Sequence, residues 1–409
     1  MVPGSPACWR RSRSLSKGFS GTVVYDAIIV GAGPAGASAA FWLGEAGKRI
    51  LVLEKEHLPR YKPCGGGVPK SVFGRFPFDF SPVIEREIGR ARFRFRDGRE
   101  VVTDLPDRPV AMVMRDRFDY HILRHARAEV RDGSPVIALR QDGAGVEVAT
   151  HSGETFRARY LIGADGANSR VARTVGLRRG KQVGATIEVE VPADDDLLVE
   201  YADTALFLLG TPPFGYLWVF PKAEHLSVGI GTFFEKIPVM REILQREMAR
   251  LGIQVEGAPQ RGHPIPIYLR HEPLQQGRVL LAGDAARLVD PLLGEGIRHA
   301  VDSGRLAAEA VLADDLPGYT RRVQQEIGAD LLWGSRWARL FYNHPEGSFE
   351  LGVRNPLIIR EFLRLLAGQT TYRRMAVRAP LDLLLGLGRR LPLESQVSDS
   401  TSLEPGLET

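Results

Sequence analysis

The feature that most restricts the fold of this chain is a glycine-rich turn between a short apolar segment and a helical one. An apolar segment at 25–30 leads into Gly-Ala-Gly-Pro-Ala-Gly at 31–36. An alanine-rich segment at 37–46 is typical of a helix, and a second apolar segment at 49–54 ends in an acid. This order of strand, glycine turn, helix and strand predicts a βαβ unit within a parallel sheet.

The spacing within the turn gives each glycine a physical task. Gly31 permits the tight turn, Gly33 lets backbone N–H groups approach a pyrophosphate, and Gly36 lets the helix pack closely on the strand. The helix N-terminus then favours the anion, and Glu54 occupies the position of a carboxylate that binds a ribose hydroxyl. The alternative is a glycine-rich turn without a ligand. We predict a dinucleotide site at Gly31, Gly33, Ala35, Gly36, Glu54 and Lys55.

Composition restricts the classes of function. The 409 residues are 44% hydrophobic and 25% charged, which is ordinary for a globular protein. Cys8 and Cys64 are the only cysteines, so neither a disulfide framework nor a four-cysteine cluster can form; we predict no metal site and a cytoplasmic location. The net charge of +5 favours an anionic membrane or a phosphorylated small molecule. The sequence has no nucleic-acid module, and we predict no nucleic-acid partner.

Two later segments each combine a buried strand with a glycine and an acid at its end. The first ends in Asp165-Gly166, before a serine at position 169 that can open a helix. The second ends in Gly283-Asp284. Taken alone, Asp165 is typical of a strand-end turn and Asp284 of a helix N-cap.

A third turn, at 290–297, precedes another alanine-rich helix. In this order, the three turns resemble the glutathione-reductase-like flavoproteins, specifically the branch with para-hydroxybenzoate hydroxylase and geranylgeranyl reductase. The resemblance implies an α/β fold with a Rossmann-like FAD-binding domain. It also implies a second α+β substrate domain built on an antiparallel sheet, and a C-terminal helical segment.

The resemblance also implies roles for residues of these turns. In that family the aspartate of the Gly-Asp pair bonds the ribityl chain of FAD. The Gly-x-Gly that follows the proline brings a helix N-terminus to the flavin, where N–H donors stabilise the anionic reduced ring. An arginine at the place of Arg115 lies near the flavin, although a solvated helix-start arginine is an equal alternative. The implied FAD contacts are Arg115, Asp165, Gly166, Gly283, Asp284, Pro291, Gly294, Gly296 and Ile297.

The segment at 183–269 changes to short alternating strands and predicts an antiparallel sheet. Tyr216, Trp218 and Phe220 alternate within one strand, so their rings should emerge on one face. Such a stripe is more often core than binding surface. Tyr-x-Trp-x-Phe-Pro, however, resembles the substrate-cavity motif of the prenyl reductases, which implies that all three rings contact substrate.

The stretch Pro63-Cys64-Gly65-Gly66-Gly67 follows the second predicted strand. Because glycines present no side chains, their backbone can lie directly against a ring. The stretch resembles the Cys-Gly-Gly loop of geranylgeranyl reductases, which implies that Cys64, Gly65 and Gly66 border the flavin and that Cys64 lies near the reacting face. The alternative is that Cys64 is a small buried hydrophobic residue.

The resemblance implies an FAD-dependent reductase that saturates carbon–carbon double bonds of a long, geranylgeranyl-type isoprenoid. Hydride would come from the reduced flavin N5 and a proton would add to the other carbon, with Cys64, Tyr216 and Trp218 as catalytic residues. The aromatic faces suit a developing cation. One alternative is an FAD-dependent monooxygenase or halogenase acting on an aromatic or lipid substrate, for which Lys62 and Lys70 are loose catalytic candidates. Another is a non-catalytic electron carrier.

No second Gly-x-Gly-x-x-Gly follows a strand, so the sequence predicts no dedicated nicotinamide domain. We therefore expect the electrons to come from transiently docked NAD(P)H or from a ferredoxin-type carrier protein. The segment at 329–391 mixes large apolar residues with arginines. It is expected either to lie peripherally on an anionic membrane or grip a diphosphate, or to cap the substrate domain with a solvated basic face.

These patterns divide the chain into five parts. We predict a disordered leader at 1–22, and a discontinuous FAD-binding domain at 23–75, 105–180 and 272–320. We predict a substrate domain at 76–104 and 181–271, a helical region at 321–394 and a disordered tail at 395–409.

Overall fold

The computed structural model describes residues 24–177, 184–234, 237–386 and 390–393. The predicted leader and tail, with Cys8, lie outside the described residues. The strands are β1 (Val24–Val30), β2 (Ile50–Leu53), β3 (Gly67–Pro69), β4 (Ile84–Ile88), β5 (Arg90–Phe95), β6 (Glu100–Asp104), β7 (Val110–Val113), β8 (Glu129–Arg131), β9 (Val136–Gln141), β10 (Val146–Thr150), β11 (Thr155–Gly163), β12 (Gly184–Pro192), β13 (Thr204–Leu209), β14 (Gly215–Pro221), β15 (His225–Thr232), β16 (Gln260–Ile265), β17 (Gln275–Gln276) and β18 (Val279–Leu281).

The α-helices are α1 (Pro34–Glu45), α2 (Arg115–Arg124), α3 (Arg170–Thr174), α4 (Asp195–Glu200), α5 (Met240–Ala249), α6 (Ile297–Leu312), α7 (Leu316–Val323), α8 (Ala329–Asn343), α9 (Pro345–Ser348), α10 (Pro356–Leu366) and α11 (Tyr372–Gly386). No helix in the described ranges is long and apolar enough to cross a lipid bilayer.

The predicted βαβ unit forms the middle of an eight-stranded sheet, with the order β17-β18-β11-β1-β2-β8 and a β9–β10 extension on β11. Strand β1 runs parallel to both β2 and β11, and β18 runs parallel to β11. The central strands are apolar where they approach the carboxyl edge, with Ile28, Ile29, Leu161 and Ile162 fully buried, as is typical of parallel strands that are packed on both faces. Helices α1 and α6 pack on each other beside the sheet.

The glycine-rich turn at 31–36 and the turns at 165–166 and 283–284 meet because of this topology. Val30 pairs with Gly163, and Gly163 pairs with Leu281, so β1, β11 and β18 end side by side. The turns that follow the three strands therefore lie along one edge, which is the edge where open α/β sheets bind ligands. The predicted fold class is confirmed.

The second sheet has seven strands in the order β16-β12-β15-β14-β13-β5-β6. All its pairs are antiparallel except β5 and β13, which are parallel. Its two faces have different partners. Leu217 and Val219 pack with α5 residues such as Leu244, whereas Trp218 and Phe220 lie in a cluster with residues of the C-terminal helices. The predicted alternation of β14 is therefore present, and its aromatic face points away from α5.

Candidate active site

A cavity of about 1350 Å³ extends from the carboxyl edge of the first sheet to the aromatic face of β14. It is lined by most of the predicted site residues. These are Gly31, Gly33, Ala35, Glu54, Lys55, Cys64, Gly65, Gly66, Arg115, Asp165, Gly166, Tyr216, Trp218, Phe220, Gly283, Asp284, Gly294, Gly296 and Ile297.

Two predicted residues, Gly36 and Pro291, are not among the lining residues. A Cβ on Gly36 would lie 1.9 Å from the carbonyl oxygen of Gly31, so Gly36 allows α1 to pack against the turn. Gly31 has a φ of +103°, and a Cβ there would lie 2.3 Å from the Ala164 oxygen. Gly31 and Gly36 must therefore both be glycine because neighbouring backbone atoms lie too close for a Cβ.

A chain of buried ion pairs runs along the cavity wall from Glu54 to Cys64. Arg60 lies 3.6 Å from the Glu54 carboxylate and 3.1 Å from that of Asp119. Arg115 donates to both oxygens of Asp119, at 2.8 and 2.9 Å, and its guanidinium also interacts with the Cys64 sulfur. Burial opposes the charge on Arg115, but the carboxylate of Asp119 raises its pKa. Arg115 is therefore a fixed cation and not the solvated helix-start residue of the alternative interpretation.

The two carboxylate oxygens of Asp165 have different surroundings. One carboxylate oxygen accepts hydrogen bonds from the backbone N–H groups of Arg170 and Val171, at 2.6 and 3.1 Å. The other, Oδ1, is buried on the cavity wall without a hydrogen-bond partner among the described residues. Ser169 is the N-cap of α3 and accepts from the Ala172 N–H, as the sequence predicts. Asp165 thus fixes the start of α3 and leaves one oxygen facing the cavity.

Lys222 is a site residue that the sequence did not reveal. Its side chain is fully buried, and Nζ donates to the carbonyl oxygens of Gly65, at 2.8 Å, and Val113, at 2.9 Å. The ammonium group thereby fastens the Cys-Gly-Gly loop to β7. Burial lowers the pKa of Lys222 to about 8, and the nearby Cys64 and Glu188 partly offset this. In the sequence Lys222 simply follows Phe220 and Pro221. Nothing in that order marks it as buried, because lysines are usually exposed.

Further titratable groups line the cavity near this loop. Glu188 accepts from the Ser227 hydroxyl at 2.8 Å, while its other oxygen has no partner among the described residues; burial raises its pKa. Burial, with repulsion from Arg115, lowers the pKa of Lys62 to about 8. Burial and the charge of Lys62 lower the pKa of His263 to about 3, so this imidazole is neutral at pH 7. Lys70, the other loose candidate, pairs with Glu87 at 2.5 Å and is not a lining residue.

Tyr216, Trp218 and Phe220 of β14 form an aromatic wall of the cavity. Two of these rings lie opposite glycines of the neighbouring strand β15. Tyr216 pairs with Gly231, and Trp218 pairs with Gly229. A Cβ on Gly229 would lie 2.1 Å from the indole of Trp218. The sequence analysis missed this pair of glycines, although their two-residue spacing matches that of the opposing rings. The hydroxyl of Tyr216 donates to the Leu293 carbonyl oxygen and thereby joins the wall to the third turn.

Comparison with known proteins agrees with this geometry. The family model of the FAD binding domain matches residues 24–73 and 85–313. An uncharacterized protein of Methanosarcina barkeri is 33% identical over 80% of this chain and 86% of its own length. A chloroplastic geranylgeranyl diphosphate reductase of Oryza sativa subsp. japonica is 31% identical over 73% of this chain and 68% of its own length.

Among solved structures, a geranylgeranyl bacteriochlorophyll reductase-like protein from Thermoplasma acidophilum superposes with a TM-score of 0.69. It is 25% identical, and the match covers 79% of this chain and 88% of that one. The chain belongs to the FAD-dependent oxidoreductase family. Geranylgeranyl reductases are among its relatives.

The residues of this flavoprotein fit FAD. Helix α1 begins at the cavity without a side-chain cap, so its first N–H groups are available to an anion, whereas the Arg298 N–H in the first turn of α6 donates to the Glu295 carboxylate at 3.1 Å. The Nη1 atom of Arg60, near Gly33, is buried without a hydrogen-bond partner among the described residues. Asp165 Oδ1 is a free acceptor in the same cavity. Donors for a pyrophosphate and an acceptor for a hydroxyl chain are thus left unpaired along one wall.

Proposed function

We propose that this flavoprotein is an FAD-dependent reductase that saturates carbon–carbon double bonds of a long, geranylgeranyl-type isoprenoid. The observation that carries the proposal is the shape of the cavity. It joins the carboxyl edge of the first sheet, where FAD is proposed to bind, to an apolar chamber lined by Tyr216, Trp218, Phe220, Leu363 and Leu366. Its volume of about 1350 Å³ exceeds the roughly 300–1,000 Å³ of a typical single-ligand pocket. The names of the rice and Thermoplasma relatives agree with such a substrate.

In the proposed reaction, reduced FAD supplies a hydride to one alkene carbon, and the protein provides the environment for proton addition to the other. The rings of Tyr216 and Trp218 stabilise positive charge on the tertiary carbon. The hydroxyl of Tyr216 is engaged by Leu293, so its contribution comes from the ring face. The apolar wall excludes water from the reacting carbon.

Cys64 is the proposed proton-handling residue at the junction of the two parts of the cavity. Its sulfur is close to Arg115, and its loop is fastened by Lys222 through the Gly65 carbonyl. The proposed FAD contacts are the lining residues named above, with Gly36 and Pro291 supporting them through backbone packing.

The proposed electron source is transiently docked NAD(P)H or a ferredoxin-type carrier protein. This can be tested by adding NADPH, NADH or reduced ferredoxin under argon and following the loss of flavin absorbance. We propose a cytoplasmic enzyme that contacts the membrane peripherally, because an isoprenoid substrate partitions into lipid.

The decisive test of the proposed function is anaerobic incubation of the dithionite-reduced protein with geranylgeranyl diphosphate, analysed by mass spectrometry. We expect products that have gained one H2 for each double bond saturated. Tyr216→Ala should abolish this series, whereas Tyr216→Phe, which keeps the ring, should retain most of it. An unchanged lipid, together with turnover of an aromatic substrate only in the presence of oxygen, would instead identify a monooxygenase or halogenase.

A further inference from the structure

The solvent face of α11 carries an apolar stripe. Val377, Leu381, Leu384 and Leu385 are each 59–78% exposed. Their spacing places them on one side of a helix. The opposite side, with Tyr372 and other residues, packs into the protein. A continuous stripe of exposed leucines is unusual on a protein surface and marks a surface that contacts a partner or a membrane.

Arginines border this stripe. A cleft of about 610 Å³ beside it is lined by Arg364, Thr370, Thr371, Arg373, Arg374, Val377 and Arg378. Glu361 pairs with Arg364 at 2.9 Å and lies 3.6 Å from Arg378. Asp330 accepts from the backbone N–H of Arg373 at 3.1 Å. Four guanidinium groups thus face two carboxylates, and the cleft remains positive.

Helix α10 connects this surface to the cavity. Leu363 and Leu366 line the apolar chamber, whereas Arg364 of the same helix lines the arginine cleft. Helices α10 and α11 pack directly on each other. The stripe and the cleft are therefore one helix away from the place where the proposed substrate chain lies.

We infer that α11 docks this protein on the surface of an anionic lipid bilayer. The leucine side chains enter the boundary between headgroups and acyl chains, and Arg364, Arg373, Arg374 and Arg378 bind lipid phosphates. An amphipathic helix with leucines on one face and arginines along its border is suited to this position. The idea that docking gives a lipid substrate a route to the cavity rests on the proposed function. Docking itself does not require turnover.

The charge of the cleft distinguishes a bilayer from other occupants. A second copy of this chain would bring the same arginines face to face, which is unfavourable. The sequence at 394–409 contains Glu394, Asp399, Glu404 and Glu408, so this segment is the alternative occupant that the experiment must separate.

The test is vesicle flotation of the full-length protein with phosphatidylcholine vesicles, with and without about one third phosphatidylglycerol. We expect binding to the anionic vesicles, with weakening as salt is raised. The double variant Arg374→Gln/Arg378→Gln should lose affinity by about 30-fold. The double variant Leu381→Ser/Leu384→Ser should lose at least about tenfold.

Matched controls are Val199→Ser on α4 and Arg241→Gln on α5, which change an exposed residue of the same type. Both controls should bind vesicles like the wild type. Unfolding temperatures of all variants should agree, because the substituted side chains are exposed.

Three outcomes would overturn the inference. They are absence of binding to anionic vesicles, equal binding by the α11 variants and controls, and binding only after removal of residues 394–409. If absence of vesicle binding is accompanied by a concentration-dependent dimer that the leucine substitutions dissociate, the occupant of the stripe is a second copy of this chain. Vesicle binding and reduction of geranylgeranyl diphosphate in solution are measured separately, so failure of one is distinguishable from failure of the other.

Discussion

Lys222 shows how one buried charge can position a glycine-rich loop. Its ammonium group bonds the carbonyl oxygens of Gly65 and Val113, and no part of its side chain is exposed. A Cβ on Gly66 would lie 2.5 Å from Nζ, so the loop must be glycine for the lysine to reach it. The charge therefore acts as a positioning group for the loop that contains Cys64.

Replacement of Lys222 should make the stability of the protein depend differently on pH. The pKa is about 8 in the fold against 10.5 for an ordinary lysine. Below pH 8 both folded and unfolded chains are protonated and the fold carries the full cost of burying the charge. Between these values the unfolded chain binds more proton, so wild-type stability rises with pH.

We expect the wild type to gain about 2 kcal/mol relative to Lys222→Met between about pH 7 and 9.5. Urea unfolding at a series of pH values measures this difference. A stability difference that stays constant with pH would show that the lysine is not desolvated as the structure indicates.

The close-packing roles of Gly31 and Gly36 could be predicted from sequence because they follow from local backbone geometry, and the ribose-binding role of Glu54 stays a prediction. Lys222 and Glu188 could not, since nothing local distinguishes a buried lysine or glutamate from an exposed one. Their partners lie far away in the chain, for example Val113 for Lys222.

The pairing of β14 with β15 determines the position of the aromatic wall. Trp218 lies opposite Gly229 and Tyr216 opposite Gly231, and the indole of Trp218 occupies the space that a side chain at position 229 would take. This complementarity belongs to the pair of strands, because neither strand alone requires it.

Gly229→Ala should displace the indole of Trp218. The added Cβ would lie 2.1 Å from the ring, and such overpacking typically costs about 1–3 kcal/mol. We expect a lower melting temperature and reduced turnover of geranylgeranyl diphosphate. Near-ultraviolet circular dichroism should report the altered indole environment.

Gly231→Ala is the matched control in the same strand. Its Cβ would lie 3.3 Å from Thr186, so a smaller loss is expected. Equal effects of the two alanines would contradict a specific role for the Gly229 position.

The turn at 290–297 links the carboxyl edge of the first sheet to the C-terminal helices. Asp290 is fully buried and accepts hydrogen bonds from the N–H groups of Leu292 and Leu293. The hydroxyl of Tyr372, from α11, donates to both of its oxygens at 2.8 and 2.9 Å. A carboxylate organises the turn, and a distant helix holds the carboxylate.

Tyr372→Phe should weaken the protein by about 1–3 kcal/mol, because a buried carboxylate loses its hydroxyl donor. We expect a lower FAD content as well, since the turn loses its support. Tyr342→Phe removes a bond of 2.7 Å to the neutral Leu292 carbonyl and should cost less. Urea unfolding and flavin absorbance measure both variants, and an equal or larger loss in Tyr342→Phe would contradict the role of Asp290.

The sequence by itself determined the βαβ unit, the glycine-containing turns at the strand ends and the alternating aromatic strand, because each depends on residues close together in the chain. Long-range packing produces the parallel pairing of β5 with β13, the hydrogen bonds of Lys222 to the Gly65 and Val113 carbonyl oxygens, and the arginine-lined cleft beside α11. It brings together groups that have no local signature. Their energies depend on burial and on distant partners, and these exist only once the chain has folded.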